Sequence, residues 1–251
     1  MNSNFKFQIS NFVLDLFFPK FCLGCQREGT FLCEDCKATL EILEYDYCLC
    51  EKNPHLIPPD RQGPGKCPRC QDKKLSGLYF AISYKKPLAK TLIHQFKYQP
   101  YTKKLAKPLA SLLIEHFILT KKNADEIWEN SVLAPVPLFY KKLKDRGYNQ
   151  SEELAKELAK VLKIPVVLNV LIKTKPTKPQ MKLKKEAREK NLQGVFGVCP
   201  RADLGQTPFT GKKVFLVDDV YTTGATLNEC AAVLRDGGAK SVWGICIARG
   251  E

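Results

Sequence analysis

Residues 214–226 read VFLVDDVYTTGAT, and they hold the residue types best suited to chemistry. Residues 214–217 form a short apolar run before a turn signal, which predicts a buried central strand. Asp218 and Asp219 follow at its carboxyl edge. A small, hydroxyl-rich loop comes next, Thr222, Thr223, Gly224, Ala225 and Thr226, and residues 227–234 predict a helix. Ligands of open α/β sheets bind beyond the carboxyl ends of the strands. A helix N-terminus presents unpaired N–H groups and partial positive charge, which suits a phosphate. Gly224 allows close backbone approach, and the threonines add hydroxyl donors. Adjacent carboxylates repel a phosphate but accept hydrogen bonds from two neighbouring sugar hydroxyls. A site for a vicinal diol beside a phosphate implies a ribose 5-phosphate. The bland alternative is a Rossmann-like strand and turn with a chance acidic pair.

This stretch resembles the phosphoribosyl pyrophosphate (PRPP) motif of type I phosphoribosyltransferases. The resemblance implies that Asp218 and Asp219 hold the ribose hydroxyls as catalytic residues. It also implies that residues 222–226 hold the 5-phosphate, with Mg2+ accompanying the diphosphate.

Eight of the eleven cysteines form pairs in the N-terminal third: Cys22 with Cys25, Cys33 with Cys36, Cys48 with Cys50, and Cys67 with Cys70. A Cys-x-x-Cys knuckle presents two thiolates to one tetrahedral ion, and two knuckles complete four ligands. Sequence order suggests one structural Zn2+ site from Cys22, Cys25, Cys33 and Cys36. A second would use Cys48, Cys50, Cys67 and Cys70. The one-residue spacing of Cys48 and Cys50 departs from a normal knuckle, so His55 is an alternative ligand and an interleaved pairing stays open. Four disulfides in a secreted domain are the competing reading. Cys199, Cys230 and Cys246 read as small buried hydrophobes.

Behind these sites stand 251 residues with a 44% hydrophobic share, enough for one large domain or for one medium domain and a small one. Lys and Arg number 40 against 26 Asp and Glu, a net charge of +14 that favours anionic partners. No stretch approaches the roughly 20 apolar residues of a membrane span. A signal peptide is not expected, which suggests a cytoplasmic chain. Phe5, Ile9, Phe12, Val13, Leu16 and Phe17 recur at helical spacing and predict an amphipathic N-terminal helix over residues 1–18.

A zinc ribbon is expected over 19–75, and a larger domain over 78–251. Strands are expected over 78–84, 131–138, 165–171, 195–198 and 241–248. Helices are expected over 87–97, 105–119 and from Asn149 to Leu162, the last burying Leu154, Leu158, Val161 and Leu162. His94 and His116 fall in helices and read as structural. Alternating strands and helices give an α/β fold with a mainly parallel sheet and helices on both faces.

Across nearly its full length the chain resembles the competence protein F (ComF) family, a zinc ribbon followed by a type I phosphoribosyltransferase-like domain. The resemblance rests on residues 92–97 (LIHQFK), 134–138 (APVPL) and 146–150 (RGYNQ), on Gln180, Arg188 and Asn191, and on the PRPP motif. It implies that the turn at Pro137 and Leu138 lies near the pyrophosphate, within reach of Arg146 or Lys144. It places the basic loop 173–190 where such enzymes carry a mobile loop. It further implies PRPP as a partner, with a role in DNA uptake beside competence proteins and a glycosyltransferase activity on an unnamed acceptor. The alternative is a non-catalytic uptake or repair accessory protein that binds single-stranded DNA, with Tyr98, Tyr101, Tyr140 and Tyr148 as stacking groups among lysines.

Overall fold

The computed structural model describes residues 19–50, 54–57, 65–98, 102–121, 125–176, 192, 194–199 and 207–250. The helix expected over residues 1–18 lies outside them, as do Tyr101 and most of the basic loop with Gln180, Arg188 and Asn191. The chain divides into two compact units, and the boundary falls between Glu41 and Ile42. The change of composition at residues 75–78 lies inside the second unit.

In the first unit Phe21 bridges Glu28 in an antiparallel sense, and the Leu23 N–H donates to the Phe31 carbonyl at 3.0 Å. One short helix follows, α1 (Glu34–Ala38), with Cys33 as its N-cap.

The second unit opens with β1 (Asp46–Tyr47) paired antiparallel to β2 (Leu56–Ile57). There follow β3 (Leu78–Ser83), α2 (Pro87–Lys97), α3 (Ala106–Leu119), α4 (Asp125–Trp128) and β4 (Ser131–Pro135). After these come α5 (Tyr140–Arg146), α6 (Gln150–Leu162), β5 (Leu171–Lys173) and β6 (Phe196–Val198). The chain closes with β7 (Lys213–Tyr221), α7 (Ala225–Asp236) and β8 (Ser241–Arg249). Four strands make one all-parallel sheet in the order β3-β8-β7-β4.

Alternation along β7 sends successive side chains to opposite faces. Val214 and Leu216 join the cluster of Leu227, Cys230, Ala231 and Leu234 from α7. Phe215 instead meets Trp128 at 4.8 Å and Tyr79 at 6.3 Å, and Phe117 of α3 packs edge-on to Tyr79 at 5.6 Å. Helices therefore cover both faces of the sheet, which explains the unbroken apolar run of its central strand.

Several expectations are corrected. β7 continues to Tyr221, so Asp218 and Asp219 lie within the strand and not beyond it. The stretch expected as a strand over 165–171 makes a single parallel bridge, Val166 to Leu133, and residues 171–173 pair antiparallel with β6. The polar stretch after residue 139 folds as α5, which ends at Gly147 with φ 78°, a left-handed turn that glycine adopts cheaply. Val161 is 58% exposed and Leu162 is half-buried, because the core-facing stripe of α6 ends at Leu158. Cys199 is exposed, while Cys230 and Cys246 are buried. No helix among the described residues is long and apolar enough to cross a membrane.

Phe215 is 1% exposed between Tyr79 and Trp128, so truncation leaves a large cavity. Phe215→Ala should cost about 3–5 kcal/mol of stability, read from the urea unfolding midpoint at unchanged slope.

Candidate functional site

A cavity of about 290 Å³ opens at the carboxyl end of the parallel sheet. Asp218 and Asp219 enter it from β7, and Gly224, Ala225 and Thr226 from the start of α7. Pro137 and Leu138 contribute from the turn after β4, and Lys142, Arg146 and Lys173 form a basic wall. The position follows from topology, since parallel strands direct all their carboxyl ends to one edge.

The acidic pair is held by side chains from two helices. Lys97, the last residue of α2, places its Nζ 2.7 Å from Asp219 Oδ1. Gln150 Nε2 donates to Asp219 Oδ2 at 3.1 Å. Ser151 Oγ donates to Asp218 Oδ1 at 3.1 Å, and the same oxygen accepts the Asp219 N–H at 2.9 Å. Asn149 aligns the start of α6: its Oδ1 accepts the Ser151 N–H, and its Nδ2 donates to the Val136 carbonyl at 3.0 Å. One N-cap therefore fixes Gln150 and Ser151 against the acids while tying α6 to the turn after β4.

Burial and the like charge of Asp219 push the Asp218 carboxyl up to about 7, with Lys97, the Asp219 N–H and Ser151 pulling the other way. Burial works to lower the pKa of Lys97, but the attraction of Asp219 and Asp218 overrides it and the net direction is upward. Lys142 and Lys173 shift downward, mainly through burial and then through neighbouring cations. Cations held this way gain from any anion that enters.

In the loop 222–226, Gly224 is the N-cap of α7 with φ 75°. A β-carbon there would fall 2.4–2.6 Å from the Tyr221 ring and hydroxyl, so Tyr221 requires glycine before any ligand does. Thr223 Oγ1 accepts the Ala225 N–H at 3.4 Å. Thr222 lines the cavity, whereas Thr223 is not among the lining residues. Lys144 is exposed on α5 and does not line this cavity; Lys142, two residues earlier on the same helix, does.

The cysteines fall into the two sets expected from sequence order. Within each, the four Sγ atoms lie within 4.8 Å of one another. Sulfur separations are 3.6 Å for Cys22–Cys33 and Cys25–Cys33, 3.3 Å for Cys50–Cys67 and 3.7 Å for Cys67–Cys70. A tetrahedral zinc–thiolate site with bonds of about 2.3 Å has sulfurs about 3.8 Å apart, so both sets fit. The odd spacing of Cys48 and Cys50 does not prevent convergence, because the Cys48 sulfur is oriented by the His55 backbone N–H at 3.1 Å. The His55 ring faces Arg69 and lies outside the cluster.

Each set contains opposed thiols. Burial raises Cys67, but hydrogen bonds from Cys50 and the Arg69 N–H bring it down to about 6. Burial, with donation to Cys67, pushes Cys50 up to about 12. Cys22 is likewise brought to about 6 against burial by backbone N–H groups, and the bond to Cys33 takes Cys36 to about 12. Four sulfurs this close ionise together only around a cation.

The family model for the phosphoribosyl transferase domain matches residues 149–250. Competence protein F of Haemophilus influenzae is 30% identical over 231 residues, covering 87% of this chain and 97% of that protein. DNA utilization protein YhgH of Escherichia coli K12 is 30% identical over 185 residues, 73% of this chain and 77% of its own. Competence protein ComFC of Bacillus subtilis is 29% identical over 119 residues, 47% of this chain and 44% of its own. The chain belongs to the competence protein F family.

In this ComF chain the residues that sequence reasoning missed are those holding the acids. Lys97 and Gln150 end the stretches LIHQFK and RGYNQ, but nothing in their types pointed to Asp219. One expected stacking group also changes status. Tyr148 is buried and donates to the Phe96 carbonyl at 2.8 Å, so it offers no surface. His94 borders the cavity with Tyr98, whereas His116 is buried and bonds the Leu43 carbonyl at 2.6 Å.

An acid with a folded pKa near 7 and an unfolded value near 3.9 binds a proton in the folded state that the unfolded chain lacks over that interval. Its contribution therefore falls as pH rises from about 4 to 7 and is flat above. The Tm of Asp218→Asn minus that of the unaltered chain should grow across this window; a difference independent of pH refutes the raised carboxyl. For the clusters, metal analysis should find two zinc ions per chain, and Cys36→Ser should remove one.

Proposed function

We propose that the cavity binds PRPP with Mg2+ and that the chain serves DNA uptake. The observation that carries this reading is one cavity combining a braced acidic pair, a loop at a helix N-terminus and a basic wall. The matched domain model and the printed names of the relatives, competence and DNA utilization proteins, support it. Loop 222–226 would hold the 5-phosphate through backbone N–H groups at the start of α7 and threonine hydroxyls. Both oxygens of Asp219 are engaged by Lys97 and Gln150, so Asp218 takes the larger share of the ribose diol. Pro137, Leu138, Arg146 and Lys142 surround the place of the diphosphate. Mg2+ bound with the diphosphate would supply the charge that lets it approach the carboxylates.

In the reaction class such a site serves, a nitrogen nucleophile bonds to C1 of the ribose as the bond from C1 to diphosphate oxygen breaks. The chain's part is positioning and charge stabilisation, with no covalent enzyme intermediate. Release of pyrophosphate across candidate bases and single-stranded DNA tests whether turnover accompanies binding.

Charge-assisted hydrogen bonds contribute about 1.5–3 kcal/mol each. Asp218→Asn combined with Asp219→Asn should therefore weaken Mg2+·PRPP binding about a hundredfold or more by calorimetry, while Tm reports an intact fold. Absence of binding by the unaltered chain, or equal binding by the double variant, defeats the reading.

A second surface supports contact with single-stranded DNA. Helix α5 exposes Lys141, Leu143 and Lys144 beside Tyr140, which is 72% exposed. Binding there would be electrostatic, at about 10⁻⁴ to 10⁻⁶ M, and would weaken steeply with salt. Lys141→Glu with Lys144→Glu should lower affinity alike for all sequences; an affinity indifferent to salt tells against it.

A further inference from the structure

The second cysteine cluster and loop 222–226 are far apart in sequence but joined by a dense set of contacts. Arg249, at the end of β8, is 3% exposed. Its guanidinium donates to the Cys48 carbonyl at 2.8 Å and to the Cys50 carbonyl, and it lies 5.4 Å from the ring centres of both Phe80 and Tyr221. The Tyr221 hydroxyl donates to the Leu49 carbonyl at 3.2 Å and accepts from Lys73 Nζ at 3.3 Å. Lys73 also reaches the Thr223 carbonyl at 3.5 Å, and its own N–H donates to the Cys70 carbonyl at 3.3 Å. The N–H groups of Lys74 and Leu75 converge on Asn228 Oδ1, in the first turn of α7, at 2.6 and 3.4 Å.

These contacts reach both flanks of the loop. Residues 48–50 hold Tyr221 on its entry side, and residues 73–75 hold Thr223 and Asn228 on the other. The Tyr221 ring in turn fills the space against Gly224. Backbone groups of both cysteine pairs thus make the contacts, and the sulfur cluster joins the Cys48–Cys50 segment to the Cys67–Cys70 segment, with Cys50 Sγ 3.3 Å from Cys67 Sγ.

We propose that the metal site of Cys48, Cys50, Cys67 and Cys70 sets the conformation of loop 222–226, with Tyr221, Lys73 and Arg249 as the positioning residues that link them. A cation drawing the two cysteine pairs together fixes the carbonyls of residues 48–50 and 70, and these fix Tyr221 and Lys73. Metal at this site then favours the ordered loop, and by reciprocity an anion in the loop favours retention of metal. The inference rests on reading that loop as the phosphate site, but its structural half stands independently.

The test uses the full zinc-loaded chain, with ribose 5-phosphate as the probe. Cys67→Ser with Cys70→Ser should lose one zinc and bind ribose 5-phosphate about tenfold or more weakly, the scale on which supporting partners act on a site. Hydrogen exchange of the amides over 221–228 should rise in the same variant. Tyr221→Phe keeps the ring and both zinc ions but loses the hydroxyl's bonds, and should weaken binding about two- to tenfold, with faster exchange over 222–226. If the double Ser variant does not fold, Tyr221→Phe decides alone. Unchanged affinity and unchanged exchange in Tyr221→Phe overturn the coupling. If the unaltered chain binds no ribose 5-phosphate, the phosphoribose reading fails, and the exchange of 221–228 with and without zinc still decides the coupling.

Discussion

Two carboxylates side by side in a buried strand repel each other and have lost hydration, and the ion pair with Lys97 is what makes them tolerable. A buried charge without a partner costs several kcal/mol. Lys97 answers that cost at 2.7 Å, and it does so from the final turn of α2. The helix must therefore end where it does, with Leu92, Ile93 and Phe96 buried so that Lys97 projects toward β7. Gln150 and Ser151 add neutral donors from the first turn of α6, whose own alignment comes from Asn149. The acids are thus the point on which three elements of the sheet domain converge.

The same arrangement explains why the pair does not behave as two equal groups. Asp219 is committed at both oxygens to protein donors, while Asp218 shares one oxygen between Ser151 and a backbone N–H. Burial and the neighbouring charge bring Asp218 to the edge of protonation near neutral pH. A protonated carboxyl donates where an ionised one accepts, so the site's preference for a diol or for a cation is set by how much positive charge reaches Asp218. Lys97 supplies part of it, and the more distant Lys142 and Lys173 belong to the wall that an anionic ligand would meet first.

Much of this was legible in the sequence, for identifiable reasons. The apolar run before Asp218 and the hydroxyl-rich loop after Asp219 carry local signals, and strand, turn and helix follow from them. α2 was readable to the residue because Pro87 starts it and its apolar stripe is regular. The cysteine sets paired in sequence order because each knuckle is local. What stayed hidden depends on distance. Nothing in a lysine at the end of a helix says that it will meet a carboxylate more than a hundred positions away. Tyr148 looked like a surface aromatic among basic residues, yet tertiary packing buries it on Phe96. Val161 looked like core on helical spacing, yet α6 runs past the edge of what it covers.

The change of composition and the division into compact units fall at different places. The cysteine-rich texture ends near residue 75, but the second cluster lies in the unit of the parallel sheet. Among its described residues the strands β1 and β2 are two residues each, and an isolated two-stranded hairpin is marginal at best. Cys48, Leu49, Cys50, Ile57 and Cys70 are instead packed into the cluster that contains Leu78, Phe80, Val214 and Leu216. Arg249 closes the junction: its guanidinium lies beside two aromatic rings, and the carbonyls of Cys48 and Cys50 accept from its two terminal nitrogens. The cysteine segment is therefore part of the core of the sheet domain. Whatever fixes its geometry is felt at the end of β7, where the acidic pair gives way to the loop.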